Sequence, residues 1–74
     1  MKFDYSKLRG RIVEKFGNQS GFSQQMGMSE HTLSKKMNGK VSWKQPEIVK
    51  ACDALDISAC DIPLYFFTNE VQRR

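Results

Sequence analysis

The stretch NQSGFSQQMGMSEHTLSKKMNGK, Asn18 to Lys40, reads as two short helices joined by a three-residue turn that pivots on Gly27. Asn18 and Ser20 can each cap the free N–H groups of an opening turn, which starts the first helix there and carries it to about Met26. Phe22 and Met26 lie four apart and share one face, while Gln19, Gln24 and Gln25 point elsewhere. Gly27 follows the last periodic residue, where a chain leaving a helix often needs positive φ, and glycine reaches it without steric cost. Ser29 then caps a second helix in which Leu33 and Met37 form another apolar pair, and Asn38-Gly39 ends it.

Two apolar stripes on neighbouring helices can face each other across such a turn, the layout of a helix-turn-helix. At about 100° per residue, Leu33 and Met37 fall on one side of the second helix, with His31, Ser34, Lys35 and Asn38 on the other. Glu30 and Thr32 flank that outward face near its N-terminal end, which enters the major groove first in a recognition helix.

On these residues the segment resembles the helix-turn-helix of lambda-repressor-like regulators, the Cro/repressor or XRE-like type of bacteria and phages. The matching features are Asn18-Gln19 at the opening, apolar Phe22, small Ser23, Gly27 and the closing Asn38-Gly39. Two positions depart from the pattern. Ser23 stands where alanine is commoner, and its hydroxyl can bond back to a helix carbonyl. Lys36 stands where an apolar residue is often found, and is expected to bury its stem and carry its charge outward. The whole chain, from FDYSKLRGRI to DIPLYFF, also resembles a family of small, poorly characterised proteins encoded by phages and prophages.

The rest of the chain completes an all-α architecture, a compact five-helix lambda-repressor-like domain with the helix-turn-helix at helices 2 and 3. Asp4 is expected to cap a first helix running to Phe16, with Tyr5, Leu8, Ile12 and Phe16 in one stripe and Gly17 at its end. After Lys40-Val41-Ser42 a fourth helix places Ile48, Ala51, Cys52 and Leu55 on one face, opposite Lys50 and Asp53. Pro46 belongs in its first turn, and Ser42 and Gln45 are both candidate caps. Ser58 is expected to cap a last short helix bearing Ile62, Leu64, Tyr65, Phe66 and Phe67, which either close over the core or form a contact surface. Trp43 serves the same core or packs on a DNA backbone. The domain is expected to span residues 1–67, with 68–74 as a frayed tail.

Composition narrows the function. Seventy-four residues hold one core. No apolar stretch is long enough to cross a bilayer, and Met1-Lys2-Phe3-Asp4 lacks the apolar run of a secretory signal, so a cytoplasmic protein with no membrane contact is expected. Cys52, Cys60 and the single histidine are too few for a zinc site, and both cysteines read as reduced, buried thiols. Met26, Met28 and Met37 read as core filler. Paired carboxylates, a nucleophile with its base, a phosphate loop and a metal cluster are all missing, so no enzyme and no cofactor is expected.

The net charge of +4 is uneven: residues 1–40 carry eight Lys/Arg against three Asp/Glu, residues 41–74 four against five. A polyanion would meet Lys35, Lys36 and Lys40 at the motif, with Arg9, Arg11 and Lys15 on the preceding helix. The expected function is therefore a sequence-specific transcriptional regulator of phage type, repressing by promoter occlusion on an operator in double-stranded DNA. Glu30, His31, Ser34 and Lys35 would read bases: the lysine and histidine donate to guanine, the carboxylate accepts from cytosine, and the hydroxyl can do either. Asn18, Gln19, Ser29, Thr32, Lys36, Asn38, Lys40 and Lys44 would hold phosphates, helped by the N-terminal end of the first motif helix. The resemblance implies the phosphate role for Gln19, Thr32 and Asn38. A homodimer formed through the region after Gly39 would match half-sites about 34 Å apart; no small-molecule effector is expected. The alternative is a protein-binding module, antitoxin-like or an anti-repressor partner, favoured by Glu30 at the reading end and by the aromatic C-terminus.

Overall fold

Short helices are marginal in isolation, so their ends and their buried stripes decide where each one lies. The computed structural model describes residues 3–68. Five α-helices follow one another: α1 Ser6–Phe16, α2 Gln19–Met26, α3 Glu30–Met37, α4 Gln45–Leu55 and α5 Ile62–Phe66, with a 3₁₀ turn, Ala59–Asp61, leading into α5. Among the described residues there is no β-strand.

Local chemistry sets the boundaries. Asn18 Oδ1 accepts from the Gly21 N–H at 2.9 Å and Ser29 Oγ from the Thr32 N–H at 3.1 Å, so α2 and α3 begin where a side chain satisfies an orphan amide. At Gly27, φ is 72°; its N–H bonds Gln24 O at 3.1 Å and the Met28 N–H bonds Ser23 O at 3.0 Å, a Schellman closure of α2. Gly39, at φ 76°, closes α3 in the same way through Gly39 N–H to Lys36 O and Lys40 N–H to Lys35 O. The end of α4 is built alike, but on Asp56 at φ 55°, with Ile57 N–H on Cys52 O at 2.9 Å.

Three start signals resolve differently from expectation. Asp4 does satisfy the Ser6 N–H, at 2.9 Å, but from one residue before the boundary, which falls at Tyr5. Neither Ser42 nor Gln45 caps α4; Lys44 occupies that position, and the Glu47 carboxylate reaches back to its N–H at 2.9 Å. Ser58 precedes the 3₁₀ turn without a side-chain bond to the backbone there, its hydroxyl lying 3.4 Å from Asp61 Oδ2.

Each helix sends its apolar pair to one core. Leu8 and Ile12 from α1, Phe22 and Met26 from α2, Leu33 and Met37 from α3, and Ile48, Ala51, Cys52 and Leu55 from α4 are all buried, and Tyr5, Ile57 and Phe66 close the cluster. Ser23 is buried too, and its hydroxyl donates to Ser20 O at 2.8 Å, the back-bond that lets a polar side chain stand at this small-residue position. The C-terminal aromatic run divides. Phe66 is buried, Ile62 and Tyr65 pack against the core from its edge, and Leu64 and Phe67 stay exposed. Cys60 is exposed, which corrects the expectation of two buried thiols: it sits in the 3₁₀ turn, outside the stripe that hides Cys52.

The two ends of the described stretch meet. Asp4 N–H donates to Thr68 O at 2.7 Å, and the Phe3 and Phe67 rings pack edge to face with centroids 5.6 Å apart. Thr68 is thus tied into the fold, while the remainder of the expected frayed tail, 69–74, lies outside the described residues. No helix among the described residues is long and apolar enough to cross a membrane.

Candidate functional site

The surface singled out by the sequence is the outer side of α3 with the first turn of α2. Glu30, His31, Ser34, Lys35 and Asn38 are all exposed along α3. Because Leu33 and Met37 are drawn into the core, Ser34 and Lys35, on the opposite side of the helix, point away. The starts of α2 and α3 are held side by side by Ser20 Oγ, which donates to Glu30 Oε2 at 3.0 Å. Ser20 is the partner that sequence reasoning missed. Its ten-residue separation from Glu30 is no helical spacing, so only the folded turn brings the two together.

This bond changes what the site can do. The N-terminal end of α2 was expected to take a phosphate, yet a carboxylate already stands at its first turn. It also lies in the first turn of α3, where negative charge suits the helix dipole. Asn18 uses its carbonyl oxygen as a cap, while its amide nitrogen has no partner among the described residues. Ser29 both accepts from the Thr32 N–H and donates to Thr32 Oγ1 at 3.0 Å, so these two hydroxyls serve each other and the helix start. Gln19 and Thr32 are half-buried; Asn38, which caps the end of α3, reaches Ser34 Oγ at 3.4 Å.

Lys36 is the clear departure. Instead of carrying its charge outward, it turns in: the side chain is 3% exposed, Nζ lies 2.9 Å from Glu47 Oε1 and donates to Ser42 O at 3.0 Å, and it stands 6.0 Å from the centre of the Trp43 ring. An ammonium held this way is not available to a phosphate. Glu47 comes from the first turn of α4, so the pair fastens α3 to α4 and fixes the connection between them. Burial pushes the Glu47 carboxyl up, but bonds from the Lys44 N–H and Lys36, with the charges of Lys36 and Lys44, outweigh it and hold the group below the usual glutamate range.

Two more cations expected to face a polyanion are also engaged. Arg11 Nε donates to Leu55 O at 2.8 Å and an Arg11 Nη to Asp56 O at 3.4 Å, while Lys15 Nζ pairs with Asp56 at 2.7 Å. Both bind the C-terminal end of α4, where carbonyls lack partners and positive charge is favoured. The hydrogen bond and charge of Lys15 hold the Asp56 carboxyl below its ordinary value. The exposed cations left on the motif side are Lys35 and Lys40, with Lys44 at the start of α4 and Arg9 on α1, which lines a cavity together with Met37 and Asn38 at the end of α3. The outward face of α3 itself carries one ammonium, Lys35, and one carboxylate, Glu30.

A second feature lies beside this face. Tyr5, Trp43 and Phe66 floor a groove of about 300 Å³ whose edges include Phe3, Val41 and Phe67. Trp43 packs edge to face on Phe66, centroids 5.2 Å apart, and its Nε1 is shielded from solvent with no acceptor among the described residues. An unmade hydrogen bond of this kind costs about 1–3 kcal/mol. Among the described residues no group of His, Cys, Asp and Glu gathers that could hold a metal ion.

Among curated protein sequences no significant match is found. Among solved structures, the chain is similar to the solution structure of the modulator of repression (MOR) of the temperate bacteriophage TP901-1 from Lactococcus lactis. The two share 50% identity, the match covers 97% of each chain, and the TM-score is 0.81. Residues 1–69 match the family described as "Protein of unknown function (DUF739)", and the chain belongs to that family.

Proposed function

We propose that this protein is a phage-type regulator that modulates repression by binding a repressor protein, with the outward face of α3 as the contact. The observation that carries the reading is the charge of that face. Lys36 is withdrawn into the core, and Lys35 is balanced by Glu30, which is bonded to Ser20 at the position where a phosphate would have to sit. Affinity for a nucleic-acid backbone comes from neutralising phosphates with unpaired cations, and this face offers few. Exposed polar groups of both signs suit a protein partner, where complementary charges select the partner and set the register. The similarity to a modulator of repression over 97% of both chains supports the same reading.

A second reading rests on a specific observation: His31, Ser34 and Lys35 are exposed in a row on α3, with Lys40 beyond its end. These are donors able to meet base edges and phosphates. Sequence-specific operator binding would use them, with a homodimer presenting two such helices.

One titration separates the readings. The purified protein is added to the repressor of the same phage without DNA, and separately to operator duplex without repressor, at about 50 and 200 mM salt. The protein-directed reading requires binding to the repressor alone, weakened by Lys35→Glu and His31→Ala, and no salt-dependent affinity for the duplex. Tight, steeply salt-dependent binding to the duplex alone overturns it in favour of the second reading.

A further inference from the structure

Three of the large apolar side chains that stay exposed converge on one place. Phe3 is 37%, Val41 38% and Phe67 48% exposed, and all three line the groove floored by Tyr5, Trp43 and Phe66. They come from three separate stretches of chain: the segment before α1, the connection between α3 and α4, and the residue after α5. Scattered exposed apolar residues need no explanation, but apolar residues gathered round a cavity mark a contact surface.

The chemistry of the groove indicates what it takes. Its apolar walls suit one or two large side chains, since 300 Å³ is at the small end of ligand-binding clefts. The Trp43 ring lines the groove, while its Nε1–H is shielded from solvent and lacks an acceptor among the described residues. Lys40 interrupts the lining segment and Lys44 follows Trp43. Both are exposed, and neither has an ion-pair partner among the described residues. Lys36, the third cation of this region, is neutralised by Glu47. The edge of the groove formed by 39–44 is therefore positive. Two copies meeting face to face here would set Lys40 and Lys44 against their own likeness, whereas an acidic partner would be drawn in.

We propose that this groove is a second docking site, separate from the outward face of α3, for a protein segment carrying large apolar side chains flanked by Asp or Glu. The apolar side chains enter between Phe3, Val41 and Phe67 against the Trp43 ring, and the acidic flank lies along Lys40 and Lys44. None of the residues Glu30, His31, Ser34 or Lys35 lines it, so a regulator built this way can hold two partners at once.

The probe is a displayed library of random dodecapeptides selected on the immobilised full chain, with the enriched peptides then synthesised. Trp43 is the single tryptophan, so its fluorescence and its indole N–H resonance report on the groove directly. The proposal requires that enriched peptides combine Phe, Leu, Ile or Trp with Asp or Glu, shift the Trp43 signals on binding, and bind Val41→Ser and Phe67→Ser variants about tenfold more weakly. Both substitutions are at exposed positions, and unchanged thermal unfolding confirms that the variants fold. The double variant K40E/K44E must abolish the acidic preference, while Lys35→Glu and His31→Ala must leave peptide binding unchanged even if they abolish contact with the repressor or the operator. Enrichment of peptides without acidic residues, binding that leaves the Trp43 signals unmoved, no enrichment at all, or a sedimenting dimer that Val41→Ser converts to monomer each overturn the proposal.

Discussion

Replacing Glu47 by glutamine should cost far more than replacing its partner Lys36 by methionine. In E47Q the side-chain oxygen that accepts from the Lys44 N–H is kept, so α4 retains its start and only the charge is lost. What remains is a lysine ammonium in a site 3% exposed, with the now uncharged side-chain oxygen at position 47, Ser42 O and the Trp43 ring as its company. Removing one member of a buried ion pair costs about 3–5 kcal/mol because the other is left uncompensated. The Glu47 side chain is 25% exposed, so water replaces part of what is lost and the expected figure is about 2–3 kcal/mol. A chain of this length has about 4–11 kcal/mol of total stability, and the loss corresponds to about 10–20 °C in melting temperature. In K36M the carboxylate can hydrate and still holds the Lys44 N–H, while the apolar side chain fills the volume of the lysine stem. The change should therefore stay within about 1 kcal/mol of zero. Urea titrations followed by helical circular dichroism measure both, and the double variant K36M/E47Q should resemble K36M. The reasoning is refuted if K36M costs as much as E47Q, or if E47Q costs less than about 0.5 kcal/mol.

The same pair makes stability depend on pH. The Glu47 carboxyl is held below its usual range, so its contribution is complete above about pH 5 and falls away as pH drops below the unfolded value of about 4.3; melting temperatures between pH 3 and 6 should show a decline that is shallower in E47Q. Gly27→Ala should cost about 1 kcal/mol, since a Cβ would meet only Lys50 Nζ, at 3.7 Å, and the cost is that of φ at 72°; Gly27→Asn should recover most of it in thermal melts. Ser29→Ala should cost about 1 kcal/mol by removing the cap of α3, seen as faster amide exchange at Thr32. Iodoacetamide should add one alkyl group by mass spectrometry, at exposed Cys60, and reach Cys52 only in denaturant, because burial and the neighbouring Asp53 push that thiol up.

Much of the fold was legible because the signals are local. Phe22 with Met26 and Leu33 with Met37 announce two stripes, Asn18 and Ser29 announce two helix starts, and Gly27 and Gly39 announce two ends. Each is a relation between residues at most five positions apart, and hydrogen bonds or burial in the structure answer each one. Asp56 escaped notice as a helix end, since aspartate at positive φ carries no sequence mark as strong as glycine. The outward position of Glu30, His31, Ser34 and Lys35 was readable in the same way, from the period of α3 alone.

Tertiary structure decided which of the charges are free. Lys15 and Asp56 are 41 positions apart and Arg11 and Leu55 are 44, and nothing in their neighbourhoods announces that they meet. Lys36 could equally have extended into water; it turns inward where α4 places Glu47 2.9 Å from its ammonium and Ser42 O accepts from it, so that the buried charge is paired. The groove around Trp43 is likewise invisible in the chain, being assembled from residues near both ends and the middle. Period and capping act over one or two turns, so the sequence by itself determined the helices and their faces. Ion pairing and apolar burial act through space, so only the packed fold decided which side chains are left for a partner.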